Sequence, residues 1–528
     1  MSEPSTNQPE RSSRIPVPLL LFGAVTVVLL VGGGLRFSAL SRQSYWYDEI
    51  NGIRIAWRPY AEILQELEAD ASPPLYYFCL HPWLHAFGDS ETSTRAFSAL
   101  FGVLLLPCIF LAGRQLFDVK TGCVALVLAA VAHFHLYYSQ EARMYSMLGL
   151  FTLLSMVSHH RAWQMGRTTA WAQCVLWTVL AMHTHNYGVF VALAGGAYGL
   201  SCWHRQPEQR KGFTLSLLMT GLLYMPWFLF ALRHQFSGTA ITGGWLPPLR
   251  LSHVLGTVTS LASVRLVAFG KPVYVVALTG LIAYVGCWGQ ALQSVHLKGK
   301  GERSGNSHHA GLRIAWLYFV VPLVVPMLIS LLKPIFLPHR YSMAAWPASV
   351  LLAAYGMCQV RRPALRWAIV AAIAVNTGLS LTWYFVAEEK APDRKVAAAI
   401  TERLRPRDCI VYSPHWAGVS LSHYLKNPPN QLGFPARALA ERTEGNEARQ
   451  RETRSLEDML ALIGSEQARL GGRLVLVRTR WEPKGHELRD ALDRRLKLIE
   501  RQSFHDTVEL SLYGMDAANA VTIPKKTE

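Results

Sequence analysis

The run IPVPLLLFGAVTVVLLVGGGL at residues 15–35 leads into Ser44-Tyr45-Trp46-Tyr47-Asp48-Glu49, and this pair of stretches decides how the chain reads. The first is long enough to cross a bilayer core of about 30 Å as one helix. The second sets two carboxylates among aromatic rings just beyond the crossing. Similar apolar stretches recur near 96–116, 121–138, 144–158, 170–182, 187–203, 213–232, 273–291, 314–332, 341–359 and 367–386, about eleven in all. An apolar share of 51% and a charged share of 16% over 528 residues fit a polytopic α-helical membrane protein and exclude an ordinary soluble one. The first span, with many others behind it, reads as a retained anchor rather than a cleaved leader.

Charge orients the spans. With residues 1–14 and their Arg11 and Arg14 inside, the predicted inner loops carry Arg114 and Lys120; Arg161 and Arg167; Arg205, Arg210 and Lys211; Lys298, Lys300 and Arg303; and Arg361, Arg362 and Arg366. Five inner loops in a row are basic. The net charge of +17 is therefore largely topological, and its spread over short loops argues against nucleic-acid binding. Six of the eight cysteines, all but Cys79 and Cys409, fall in predicted spans, so no disulfide framework is expected.

The opposite face carries the chemistry. A long first outer loop, 37–94, contains amphipathic helical patterns at Trp57–Leu67 and Leu75–Phe87. A second outer stretch, 233–271, opens with Gly238, Gly243, Gly244, Pro247 and Pro248 and continues as a weakly apolar helix near 254–268. The inner segment 296–313, rich in glycine, reads as a linker. Residues 15–386 form the membrane domain. From 387 to 528 the pattern changes to strands near 408–412, 473–477 and 507–513 alternating with helices near 393–404, 456–470 and 486–498, a small α/β domain on the outer side.

Each candidate site residue has a plain alternative. Asp48 and Glu49, beside the interface and flanked by aromatics, suit a general base of raised pKa, or simply cap a helix. Arg143, in Ser139-Gln140-Glu141-Ala142-Arg143-Met144-Tyr145, and Arg340, in Pro338-His339-Arg340-Tyr341, have the planar fork that grips phosphate, or snorkel to lipid headgroups. Glu91 and Arg95, one helical turn apart, pair with each other, or Arg95 faces the site. His183 and His185 stand two apart on a turn, a poor spacing for a helical metal pair. Asp70, Glu141 and His339 are further candidates for substrate or a divalent ion. Polar groups are costly at span ends, so their convergence on one face favours an active site.

The ordered set Trp46-Tyr47-Asp48-Glu49, Asp70-Ala71-Ser72-Pro73-Pro74-Leu75-Tyr76-Tyr77, Ser90-Glu91 with Arg95-Ala96-Phe97-Ser98-Ala99-Leu100-Phe101-Gly102, Tyr138-Ser139-Gln140-Glu141-Ala142-Arg143-Met144-Tyr145, Thr184-His185-Asn186-Tyr187-Gly188 and His339-Arg340-Tyr341 resembles the bacterial GT-C membrane glycosyltransferases. These are the clan of protein O-mannosyltransferases and the lipid A aminoarabinose transferase. The resemblance covers about residues 15–386. It implies a GT-C-like fold, a polyprenyl-phosphate sugar donor, and an acceptor hydroxyl on a glycan, lipid or protein at the outer face of the inner membrane. It maps the reacting acid to Asp48, with Glu49 beside it, and the donor-phosphate contact to Arg143, with Arg340, Arg95, Tyr145 and Tyr341 as further candidates. Two departures stand out. Ser72 precedes Pro73-Pro74 where such relatives carry Lys or His, and Met144 and Tyr145 follow Arg143 where they carry an Asp, so a metal, if used, would draw on Glu141. A transporter, flippase or ligase of lipid-linked saccharides is the alternative, but internal repeats and midplane ionisable residues are not evident.

Overall fold

The computed structural model describes residues 17–70, 72–236, 246–263, 271–297, 306–386, 390–426, 428, 430–434, 456–479, 483–504 and 507–514. Gly238, Gly243 and Gly244 of the predicted outer loop, the end of its predicted helix, and Gly299 to Gly305 of the predicted linker lie outside them. The helices are α1 (Val17–Phe37), α2 (Tyr47–Ala56), α3 (Tyr60–Asp70), α4 (Leu75–Phe87), α5 (Glu91–Leu116), α6 (Val119–Val131), α7 (His133–Ser139), α8 (Tyr145–Met165), α9 (Thr168–Thr184), α10 (Gly188–Cys202), α11 (Arg210–Phe236), α12 (Leu251–Leu261), α13 (Lys271–Leu297), α14 (Asn306–Ile329), α15 (Trp346–Gln359), α16 (Pro363–Val386), α17 (Asp393–Arg403), α18 (Ala417–Tyr424), α19 (Leu456–Leu470) and α20 (Pro483–Arg495).

The chain divides into two compact units, 1–38 with 67–76 and 98–385, and 39–66 with 77–97 and 386–528. In the first, each of the eleven predicted spans overlaps a helix among the described residues. Among the described residues, five helices are long and apolar enough to cross a membrane, and α6 with α7, bent by 58°, makes a sixth. The chain is a multi-pass membrane protein. α8 is long enough but too polar for that test, and it packs against α9, α10, α14 and α15. Its Ser155 hydroxyl meets Thr178 Oγ1 at 2.8 Å and the Tyr318 hydroxyl at 3.0 Å, so polar residues are satisfied by neighbouring helices rather than left to lipid. By contrast α1 and α11 present Phe22, Leu30, Leu218, Leu222 and Leu229 outward, as lipid contact requires.

The α6–α7 bend frees carbonyls, and Arg36 takes them. Its Nη1 donates to the carbonyls of Gly32 at 2.8 Å and Ala130 at 2.9 Å. Nη2 donates to Ala129 O and meets His135 Nδ1, both at 2.8 Å. Gly102 is required beside this knot, because a Cβ there would sit 2.3 Å from Ser139 Oγ. One turn later Gln140 Nε2 donates to the carbonyls of Leu35, Arg36 and Ser38 while its Oε1 accepts from Tyr384 OH at 2.6 Å. The exit of α1 is thereby fixed to the turn that carries Arg143.

The second unit is built on a five-stranded sheet of order β2-β1-β3-β5-β4, with β1 (Cys409–Ser413), β2 (Gln431–Gly433), β3 (Leu474–Thr479), β4 (Lys497–Phe504) and β5 (Val508–Gly514). β1 is parallel to β2 and β3, while β5 runs antiparallel to β3 and β4. Alternate residues feed two cores. Val411, Leu474 and Leu476 pack under Met459, Leu460, Leu488 and Leu492 of α19 and α20. Ile410, Val475 and Val477 pack under Val396, Ile400 and Leu421 of α17 and α18. This α/β domain does not stand apart from the first outer loop, which the sequence reading assigned to the membrane domain. α17 and α18 grip that loop: Tyr424 OH accepts from Tyr45 N–H at 2.7 Å, Lys390 N–H donates to Gln43 Oε1 at 2.9 Å, and Tyr47 lies against Trp416 with ring centres 5.8 Å apart.

Burial raises the Asp393 carboxyl to about 6, opposed by a hydrogen bond from Ser420. The unfolded carboxyl ionises first on going up in pH, so this group costs stability increasingly from about pH 4 to 6 and by a constant amount above. Asp393→Asn is expected to raise the melting temperature at pH 7.5, with a gain of about 1–3 kcal/mol, and to do little at pH 4. An equal shift at both pH values would exclude the carboxyl as its origin.

Candidate active site

The predicted acids lie in the first turn of α2, where aligned backbone N–H groups favour negative charge. Their fates then separate. Glu49 is fully buried and its two oxygens take a fork from Arg95, Nε at 2.8 Å and Nη2 at 2.7 Å. Arg95, 1% exposed, places its remaining donors on the carbonyls of Leu40 (2.7 Å), Gln43 (2.8 Å) and Ser44 (3.0 Å). All five N–H groups of the guanidinium are used. This replaces the expected pairing of Arg95 with Glu91, which instead binds Arg394 and the Tyr424 hydroxyl. The longer reach wins because Glu49 and three carbonyls saturate the buried fork, whereas Glu91 alone could not. Such geometry suits Glu49 and Arg95 to holding the loop, rather than to catalysis and phosphate binding as expected. Asp48, one residue earlier, is only half-buried.

In the membrane unit, Arg143 is half-buried in the irregular turn between α7 and α8. The turn is held by Arg143 N–H to Glu141 O at 2.7 Å and by Ser98 Oγ to Arg143 O at 3.0 Å, with Tyr76 OH 3.1 Å from Ser98 Oγ. Glu141 is buried there. His185 lies among rings: Tyr145 at 5.9 Å, Tyr341 at 5.2 Å and Tyr187 at 5.7 Å between centres. Its Nδ1 accepts the Tyr187 N–H at 3.0 Å, which fixes the neutral tautomer. Burial, then the positive charges of Arg143 and Arg340, push the imidazole down to about 3. Both guanidiniums therefore act on one buried ring, and the turns after α7, after α9 and before α15 come together.

Arg340 follows a strained corner. His339 has φ 70° and ψ −90°, and Arg340 N–H donates back to Pro338 O at 3.1 Å, a γ-turn of the rare form. His339 is pinned by Ser260 of α12 through Nδ1, and its carbonyl accepts from Ser342 N–H at 3.1 Å. Such a backbone costs about 1–3 kcal/mol and persists only where its surroundings enforce it. His183 turns elsewhere: its Nδ1 meets Val179 O at 3.0 Å and its ring stands edge-on to Tyr224 of α11, 5.4 Å away. The two histidines diverge, and among the described residues no three His, Cys, Asp or Glu side chains gather as metal ligands. The described residues do not fit a metal centre. Asp70 ends α3, with its side chain outside the described residues. The eight cysteines are unpaired.

Sequence reasoning missed the Glu49–Arg95 lock and the grip of α17 and α18. The only available signal for the first was a buried-type Arg at the head of α5, and for the second there was none.

Residues 71–230 match the family model for dolichyl-phosphate-mannose-protein mannosyltransferase. Among curated protein sequences none matches the chain significantly. Solved structures do. ArnT from Cupriavidus metallidurans in the apo state aligns with a TM-score of 0.60 at 14% identity, over 94% of this chain and 97% of that one. The same protein bound to undecaprenyl phosphate aligns at 0.56 and 15%, over 96% and 98%. The archaeal oligosaccharyltransferase AglB from Archaeoglobus fulgidus, in complex with an inhibitory peptide and a dolichol-phosphate, aligns at 0.51 and 11%, over 95% and 75%. The fold is the GT-C fold of polytopic membrane proteins. The fold likeness spans nearly the whole chain, and the family match covers residues 71–230 of the membrane unit.

Proposed function

We propose that this chain is an inverting glycosyltransferase that moves a sugar from a polyprenyl-phosphate donor to an acceptor hydroxyl at the outer face of the inner membrane. The acceptor is a glycan, lipid or protein. The observation that carries this reading is the meeting of the turns that bear Arg143 and Arg340 at buried His185, whose ring lies against Tyr145 and Tyr341. Two guanidiniums beside a ring that is held uncharged suit a dianionic phosphate, and a protonated imidazole would not be needed there. The undecaprenyl phosphate named for one structural neighbour and the dolichol-phosphate named for another support the same ligand class.

Asp48 accepts the proton of the acceptor hydroxyl as its oxygen attacks the anomeric carbon. The bond from that carbon to the phosphate oxygen breaks, and the polyprenyl phosphate departs with the electron pair. Arg143 and Arg340 offset the charge that grows on it. Tyr145 and Tyr341 flank His185 and shape the phosphate site, while Glu49 and Arg95 hold the loop that presents Asp48.

Single replacements Arg143→Ala and Arg340→Ala are expected to weaken binding of undecaprenyl phosphate by about 10-fold or more each, at 1.5–3 kcal/mol per charge-assisted contact. Fluorescence titration of purified protein with that lipid measures it. Unchanged affinity in both variants would remove the phosphate role. A flippase reading would instead require lipid-linked sugar to change leaflets without bond cleavage.

A further inference from the structure

On the end of the membrane unit that carries the basic loops, a cavity of about 270 Å³ opens between α8, α10, the turn after α10, and α14. Its walls include Trp163 and Gln164 of α8, Tyr198 of α10, Arg205 and Gln206 of the turn, and Arg313 of α14. No acid lines it. Two guanidiniums facing one space without a lining carboxylate repel each other unless an anion joins them.

The cavity is also a shaped one. Arg313 Nη1 donates to Ser201 O at 3.2 Å, which aims the guanidinium from α14 toward α10. The Tyr198 hydroxyl, 3.4 Å from His160 Nδ1, presents a neutral donor and acceptor on the same wall. The turn itself is clamped, because Arg210 Nε donates to Trp203 O at 2.9 Å and its guanidinium stacks over the Trp203 ring. Exposed Leu200 on α10 offers an apolar track for a chain beside the cavity.

From this geometry we infer an anion site for a phosphate ester, formed by Arg205 and Arg313 with Tyr198 and the two glutamines, and supplied by the headgroup of an anionic phospholipid in the leaflet next to the basic loops. Basic recesses between membrane helices at that depth suit a phosphodiester whose acyl chains stay in the bilayer. Its occupancy ties α8, α10 and α14 together, which links lipid composition to bundle stability without touching the transfer site.

Short-chain dihexanoyl phosphatidylglycerol, dihexanoyl phosphatidylcholine and inorganic phosphate are titrated into purified full-length protein by calorimetry, with Arg205→Gln, Arg313→Gln and Arg362→Gln as variants. Phosphatidylglycerol is expected to bind at least 10-fold more tightly than phosphatidylcholine, with a loss of at least 10-fold in Arg205→Gln and Arg313→Gln and none in Arg362→Gln. Inorganic phosphate that binds as tightly as the lipid and displaces it would keep the anion site but overturn the lipid as its source. Binding equal in all three variants and in wild type would overturn the site. Arg205 is exposed, so its replacement folds even where that of Arg313 does not, and it decides the outcome alone.

Discussion

Asp48→Asn is expected to lower the rate of sugar transfer by about 10²–10⁴-fold while leaving donor affinity within a factor of two, because only proton acceptance in the transition state is lost. The amide is isosteric, and Asp48 sits half-buried in the first turn of α2, so folding should be nearly unaffected. The loss of one charge near the helix N-terminus costs about 0.3–1 kcal/mol. Single-turnover transfer from a preformed complex with donor separates the chemical step from binding. A variant that turned over at the wild-type rate would show that Asp48 is only a helix-end charge, and the base would have to be sought elsewhere.

Glu49→Ala, one residue away, is expected to fail differently. It leaves the Arg95 guanidinium buried with its charge uncompensated, at a cost of about 3–5 kcal/mol. The protein should lose thermal stability and yield, while whatever folded fraction remains still binds polyprenyl phosphate. Replacing both partners, Glu49→Leu with Arg95→Met, is expected to regain part of the loss. It cannot regain all of it, because the carbonyls of Leu40, Gln43 and Ser44 lose their donor. Thermal melting of the three variants in the same detergent tests this. If Glu49→Ala melted like wild type but transferred no sugar, Glu49 would be the chemical group and the lock reading would fall.

Helices were legible because span length and apolar content are set by the bilayer, which imposes the same demand on every segment. α8 was read too short, since Ser155, Ser158, His159 and His160 look like a span end until neighbouring helices are seen to satisfy them. α2 was not read as a helix at all. Its YDEINGIRIA pattern mixes β-branched residues with Gly52, and it folds because Ile50, Ile53 and Ile55 are buried by tertiary packing. In the tail, β4 has no counterpart in the sequence pattern beyond its first two residues, which fall in the helix expected near 486–498, because it is an exposed edge strand with no buried alternation; β2 is only three residues long. β1 and β3, buried on both faces, were plain.

The candidate residues split along the same line. Arg143, His185, Tyr145, Tyr341 and Arg340 were legible as polar and aromatic groups at span ends, where their presence is costly. Their relation through His185 was not, because it depends on three turns far apart in sequence. The hold of Tyr424, Trp416 and Arg394 on the first loop bridges more than three hundred residues, and no local pattern announces it.

The most direct measurement is transfer itself. Purified protein in liposomes is given a panel of radiolabelled polyprenyl-phosphate sugars with membrane extract as acceptor, and the label is followed into product while free polyprenyl phosphate is counted. One sugar should move, with one polyprenyl phosphate released per sugar transferred and with inverted anomeric configuration. Lipid-linked sugar that only crosses to the other leaflet, with no polyprenyl phosphate released, would contradict it.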